Sequence, residues 1–243
     1  MKDKKKITKI INCIVLILLI ALIVMIKIDQ KDKCKPTKVI TEKVITKENN
    51  RKKIADIRKY ENIVFLGDSI TDFYPIDTIY MDLPIVKSGI SGYTTEDILD
   101  RMDSMVYQYN PTSVFLLIGT NDIMYDGEST KEKTIENIEK ILKNIKSNRK
   151  QTKIYLEAIY PVNKKLNSQM VRNRDNDIIR EINDTLEKYC DENDITFIDM
   201  YEVLQDEEGN FSKDYTDDGL HPNDLGYAKI SQVIAAYIYD IEL

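Results

Sequence analysis

Tryptophan is absent from the 243-residue chain, and histidine occurs once, as His221. A single imidazole excludes every His-rich metal centre, including the H-E-x-x-H zinc helix, which needs two. Cysteine is nearly as scarce. Cys13, Cys34 and Cys190 form no C-x-x-C pair, so neither a disulfide framework nor a thiolate metal or redox site is expected. Basic charge is thin over most of the chain: residues 61–243 hold 18 Lys/Arg against 35 Asp/Glu, whereas residues 1–60 hold 17 against 6. An acidic body offers no basic stripe to nucleic acid. The change of sign separates a basic tail from a folded part. With 42% hydrophobic and 31% charged residues, the chain has the composition of a domain with a real core.

One long hydrophobic run is present. Ile10–Ile26 carries no charge and one polar interruption, Asn12, with Lys9 and Lys27 as flanks. Such a run just spans a hydrocarbon layer of about 30 Å, the lysines reaching for the interface. Residues 10–28 are therefore expected to be a single transmembrane helix, after a basic cytoplasmic tail at residues 1–9. The run ends in Val24-Met25-Ile26-Lys27 with no small-x-small site, which argues against a cleaved signal peptide. Lysines stand on both sides, so the positive-inside rule gives little margin, and the N-terminus-inside orientation is favoured. Residues 29–60, basic and polar, read as a stalk. The protein is then a single-pass protein of the cell membrane, with residues 61–243 as its extracytoplasmic domain.

Within that domain, short apolar runs alternate with long amphipathic ones. Asn62–Leu66, Pro84–Lys87, Ser113–Ile118, Lys153–Ile159 and Ile195–Ile198 read as strands. Helices are expected over Thr95–Tyr109, Thr130–Asn148, Gln169–Asn193 and Asn223–Tyr239; in the first, Ile98, Met102, Met105 and Tyr109 recur on one face. Strands without polar alternation, separated by helices, imply a parallel sheet covered on both sides. The fold class is α/β, doubly wound.

Ligands of such folds bind beyond the carboxyl ends of the strands. The first strand is followed by Gly67-Asp68-Ser69-Ile70-Thr71, the second by Ser88-Gly89-Ile90-Ser91-Gly92 and the third by Gly119-Thr120-Asn121-Asp122. Asp217-Asp218-Gly219-Leu220-His221-Pro222 precedes the last helix. Serine becomes a nucleophile when a base takes its proton, and His221 is the only imidazole available. A carboxylate three or four residues before it can fix the ring's tautomer. Asp217 and Asp218 are adjacent candidates for that task. As a cation site the pair falls far short of the oxygen ligands calcium takes.

These four blocks resemble the SGNH hydrolase superfamily, the GDSL-type esterases and lipases. Their wording is most similar to the bacterial platelet-activating-factor-acetylhydrolase-like and carbohydrate-esterase-like branch. The resemblance covers roughly residues 60–240 and implies a three-layer α/β/α sandwich with a flavodoxin-like sheet. It also implies Ser69 as nucleophile, His221 as base and Asp218, by the family's Asp-x-x-His spacing, as its partner. The oxyanion hole would comprise the backbone N–H groups of Ser69 and Gly89 and the side chain of Asn121. No metal or cofactor is implied. The expected reaction is ester hydrolysis through an acyl-enzyme, with O-acyl groups of envelope glycans, short acyl esters or lysolipids as substrates. An O-acyltransferase using the same residues and an inactive tethered binding protein are the alternatives.

Overall fold

Apolar runs that lack polar alternation can be buried on both faces, and the computed structural model of the protein, which describes residues 62–81 and 83–240, forms five strands from them. They are β1 (Ile63–Gly67), β2 (Ile85–Gly89), β3 (Ser113–Leu117), β4 (Lys153–Glu157) and β5 (Thr196–Ile198). All pairings are parallel, in the order β2-β1-β3-β4-β5. The inner strands are almost wholly buried, while β2 and β5, at the edges, are partly exposed. The expected tail, transmembrane helix and stalk, residues 1–60, lie outside the described residues. Among those described, no helix is long and apolar enough to cross a membrane.

Helices cover both faces. They are α1 (Ser69–Phe73), α2 (Ile76–Ile79), α3 (Thr95–Asp100), α4 (Met102–Met105), α5 (Gly127–Asn148), α6 (Ser168–Val171), α7 (Asn176–Glu192), α8 (Met200–Leu204) and α9 (Asp224–Tyr239). Successive strand residues point to opposite faces. Val64, Leu66, Val114 and Leu116 therefore meet Ile98, Ile138 and Ile182 on one side. Ile63, Phe65 and Phe115 meet Ile70, Met200 and Ile230 on the other. Register partners Phe65, Phe115 and Tyr155 stack across this second face, with ring centroids 4.9 and 4.4 Å apart. In α7, Ile179, Ile182, Leu186 and Cys190 form the buried stripe, and Cys190 is a core residue. Full burial of one such aliphatic side chain stabilises the fold by about 1.5–3 kcal/mol.

Two expected helices are broken. The segment Thr95–Tyr109 divides at Arg101, whose φ of −124° leaves the helical region, into α3, α4 and a 3₁₀ turn at Tyr107–Tyr109. The carbonyl of Met105 is used instead by the buried Ser88 hydroxyl, which donates to it at 2.8 Å. The segment Gln169–Asn193 divides between α6 and α7. Arg172 takes a left-handed φ of 58°, the buried Arg174 turns inward, and Asp175 caps the new helix by accepting from the Asp177 N–H. Periodicity runs through both breaks because the buried stripe resumes beyond them.

The chain returns from β2 to β3 on the opposite side of β1. That reversal opens the crevice in which doubly wound folds hold ligands. The ends of β1, β2 and β3 are side by side there.

Candidate active site

Ser69 is the first residue of α1. Asp68 caps this helix, its Oδ1 accepting the Ile70 N–H at 2.9 Å. A first-turn residue has no intrahelical acceptor for its own N–H. Ser69 is 8% exposed, on a backbone held by that cap. Four residues on, Phe73 shares its side of the helix. The Phe73 ring is half exposed and lies 5.2 Å, centroid to centroid, from the His221 imidazole.

His221 comes from the loop before α9, which an isolated bridge between Thr216 and Pro222 closes. The Thr216 hydroxyl donates to the His221 carbonyl at 2.8 Å and accepts the Gly219 N–H at 3.0 Å. Gly219 has a φ of +77°, and a Cβ there would lie 2.2 Å from the carbonyl oxygen of Asn163. Only glycine fits that turn.

His221 Nε2 is 3.0 Å from Ser69 Oγ, and its Nδ1 is 2.8 Å from Asp218 Oδ2. The carboxylate accepts the proton on Nδ1, which leaves Nε2 as the acceptor for the serine hydroxyl. Asp218 Oδ1 accepts the N–H groups of Leu220 and His221 at 2.9 and 2.8 Å. Burial pushes the Asp218 pKa up. The hydrogen bonds from the His221 ring and from the two backbone N–H groups outweigh it and hold the carboxyl below its ordinary value. Asp217 faces elsewhere: it accepts from Asn223 Nδ2 at 3.3 Å. The structure thus joins Ser69, His221 and Asp218 in one line and leaves Asp217 out.

Gly89 ends β2 against α1. A Cβ at this position would stand 2.4 Å from the Asp72 nitrogen and 2.7 Å from the Thr71 carbonyl carbon. Asn121 follows β3. Its Nδ2 donates to the Tyr93 carbonyl at 3.0 Å, and its Oδ1 accepts from Arg174 Nη2 at 2.9 Å. Its neighbour Asp122 fastens the same loop to α3 by accepting the Thr95 N–H at 3.1 Å and the Thr95 hydroxyl at 2.5 Å. Because β2 and β3 flank β1, the three expected oxyanion donors stand at adjacent strand ends.

Two ionisable groups lie buried beside the site: Arg174, which the sequence did not single out, and Asp68, which it offered as a structural member of the first block. Arg174 is 2% exposed. The only sequence signal for it was a cluster of cap and turn formers, Asn173-Arg174-Asp175-Asn176, inside an apolar periodic segment. Asp68 is fully buried, and its Oδ2 has no hydrogen-bond partner among the described residues. Burial raises its pKa to about 7, against the pull of the Ile70 N–H and the Arg174 charge.

Comparison with known proteins accords with this geometry. The family model of the GDSL-like Lipase/Acylhydrolase family matches residues 65–229. The chain is also similar to an N-acylneuraminate cytidylyltransferase of Escherichia coli O18:K1:H7, 31% identical over 179 residues, or 73% of this chain. It spans 40% of the length of that curated relative. A solved Streptococcus pneumonia protein, named for platelet activating factor, is 30% identical with a TM-score of 0.69, over 83% of this chain and 97% of its own. A GDSL-like lipase from Bacteroides thetaiotaomicron is 24% identical with a TM-score of 0.67, over 79% and 97% respectively. The last of these similarities speaks for the fold alone.

Proposed function

The chain belongs to the GDSL-like lipase/acylhydrolase family, and from that premise we propose that it is a membrane-anchored serine ester hydrolase acting on O-acyl groups of sugars in the cell envelope. The observation that carries the chemistry is the hydrogen-bonded line from Ser69 through His221 to Asp218. His221 Nε2 takes the hydroxyl proton as Ser69 Oγ attacks the ester carbonyl carbon. Asp218 holds the ring's tautomer and offsets the charge that the imidazolium gains. The N–H groups of Ser69 and Gly89 and the free N–H of Asn121 Nδ2 stabilise the oxyanion. One such donor contributes roughly 10²–10³ in kcat. His221 returns the proton to the leaving alcohol oxygen, the carbon–oxygen bond breaks, and an acyl-Ser69 ester remains. A water, deprotonated by the same nitrogen, then releases the carboxylic acid and regenerates the serine.

The sugar preference draws on the curated relative, whose name is that of an enzyme of N-acylneuraminate. The membrane anchor draws on the apolar 10–28 run, and the extracytoplasmic side on the favoured N-terminus-inside orientation. Short acyl esters and lysolipids are the competing substrates.

The test is a panel of esters, from acetylated sugars to long-chain and lysolipid esters, given to the parent and to Ser69→Ala, with fluorophosphonate labelling alongside. Hydrolysis favouring acetylated sugars, and lost with Ser69, is the expected result. Acyl groups found on an added sugar acceptor would move the assignment to an acyltransferase. A protein that neither turns over nor labels would be a tethered binding protein. Fractionation of cells making the full chain, with protease added outside, tests the location.

A further inference from the structure

Arg174 is among the largest fully buried side chains of the protein, yet it touches no carboxylate within 4 Å among the described residues. Its Nε donates to the carbonyl of Thr120 at 2.8 Å and to the Thr120 hydroxyl at 3.0 Å. Nη1 donates to the carbonyls of Met170 and Val171 at 3.2 and 3.1 Å. Nη2 donates to Asn121 Oδ1 at 2.9 Å. Asp68 attracts it from a distance, without contact. Burial lowers the guanidinium pKa to about 10, so the group is cationic at neutral pH.

A buried cation without a contacting anion is costly, and neutral side chains could tie one loop to another at less expense in desolvation. The chain nevertheless adopts the left-handed backbone at Arg172 that turns residue 174 inward. It also stitches this turn to the β3 loop, where Asn173 N–H donates to the Met124 carbonyl at 3.2 Å and Asn173 Nδ2 to the Tyr125 carbonyl at 2.6 Å.

The consequence falls on Asn121. An amide side chain has two ends of nearly equal size, and nothing in its shape selects which faces the crevice. A guanidinium N–H aimed at one end admits only the oxygen there, because an NH₂ group would set donor against donor. Nδ2 must then point away from Arg174. One of its hydrogens goes to the Tyr93 carbonyl. The other remains for a negative oxygen in the crevice. The cation also polarises the amide, which strengthens that remaining N–H as a donor.

We propose that Arg174 is a positioning residue for the oxyanion hole: its buried guanidinium fixes the orientation and polarity of the Asn121 amide, through which it lowers the barrier of the acyl-transfer step. This rests on the ester-hydrolase reading above. The role belongs to the transition state, since the oxyanion carries its full charge only there.

The test is a double-mutant cycle in the full-length protein: Arg174→Lys, Arg174→Met, Asn121→Ala and Arg174→Met with Asn121→Ala, assayed for kcat and KM on the best ester of the panel. Arg174→Lys keeps a cation but lacks the fork that serves Thr120 and Asn121 together. Both Arg174 variants are expected to lower kcat by about 10–10²-fold with KM little changed, a part of the roughly 10²–10³-fold loss for one oxyanion donor. The double variant is expected to be no slower than Asn121→Ala, because Arg174 acts through that side chain. Losses that multiply in the double variant, or an Arg174→Lys enzyme at the parental kcat, would overturn the inference and leave the hydrolase standing. If Arg174→Met does not fold, the cycle is run with Arg174→Lys. A parent protein that neither hydrolyses the panel nor reacts with the fluorophosphonate would remove the hydrolase reading, and this inference with it.

Discussion

Replacing Asp218 with Asn separates the two tasks of its carboxylate. In the parent, Oδ2 faces His221 Nδ1 at 2.8 Å, while Oδ1 accepts two backbone N–H groups at 2.8 and 2.9 Å. An Asn can keep its oxygen toward the backbone and turn its NH₂ to the ring. Every hydrogen bond survives, but Nδ1 must then be the acceptor, and the ring's proton moves to Nε2, facing Ser69 Oγ. The base is lost, at a cost of about 10⁴ in kcat, or about 5 kcal/mol of barrier. The opposite rotamer keeps the tautomer but sets NH₂ against the N–H groups of Leu220 and His221. Two lost hydrogen bonds to a partly exposed acceptor cost about 2 kcal/mol in the loop. The first arrangement leaves nothing unpaired and is therefore the one adopted. The expected outcome is a kcat lower by about 10³–10⁴ with a nearly unchanged denaturation midpoint. Asp217→Asn is expected to stay within about twofold of the parent, because among the described residues that carboxylate meets the partly buried Asn223 amide, at 3.3 Å, and not the His221 ring. Steady-state hydrolysis of a chromogenic acyl ester, with a thermal melt of each variant, decides it. An Asp218→Asn enzyme within tenfold of the parent and equally stable would refute the tautomer argument. A larger loss at Asp217 would move the acid by one residue.

The other predictions are briefer. Gly89→Ala forces a methyl to within 2.4 Å of the Asp72 nitrogen, so it is expected to lower stability by about 1–3 kcal/mol and turnover as well; a variant matching the parent in both would show that β2 and α1 can separate freely. Ser69→Ala and His221→Ala are each expected to abolish most hydrolysis, and the double variant to be little worse, because the two residues act as a unit; multiplying losses would contradict this. Glu157 ends β4 and accepts from the Tyr160 hydroxyl at 2.6 Å, and burial pushes its pKa up to about 7. The folded state therefore keeps this proton after the unfolded chain has released it, and stability falls as pH rises from the ordinary carboxylate range to about 7, by about 3 kcal/mol in full. Glu157→Gln should flatten that part of the stability–pH curve in denaturant titrations at pH 5 and pH 8, and a difference from the parent equal at both values would refute the assignment.

The strands, α5 and α9, and the positions of the four motif blocks at the ends of elements were legible in the sequence. The strands follow from continuous apolar runs, the helices from an apolar period of three or four residues, and the blocks from short motifs next to them, all local properties of the chain. The end of α4 at Met105 and the inward turn of Arg174 were not legible. Each replaces local helical hydrogen bonds with partners remote in sequence, Ser88 for the one and Thr120 and Asn121 for the other. Histidine's scarcity by itself determined which residue could serve as an imidazole base. The four blocks narrowed the nucleophile to Ser69. The resemblance already favoured Asp218 over Asp217, and the structure places Asp218 on the ring; tertiary structure alone decided which buried cation faces the Asn121 amide. Contacts of this kind join residues far apart in the chain, as Ser69 and His221 are, at a separation of 152 residues. Their geometry depends on strand order and loop closure, which hydrophobic periodicity leaves open.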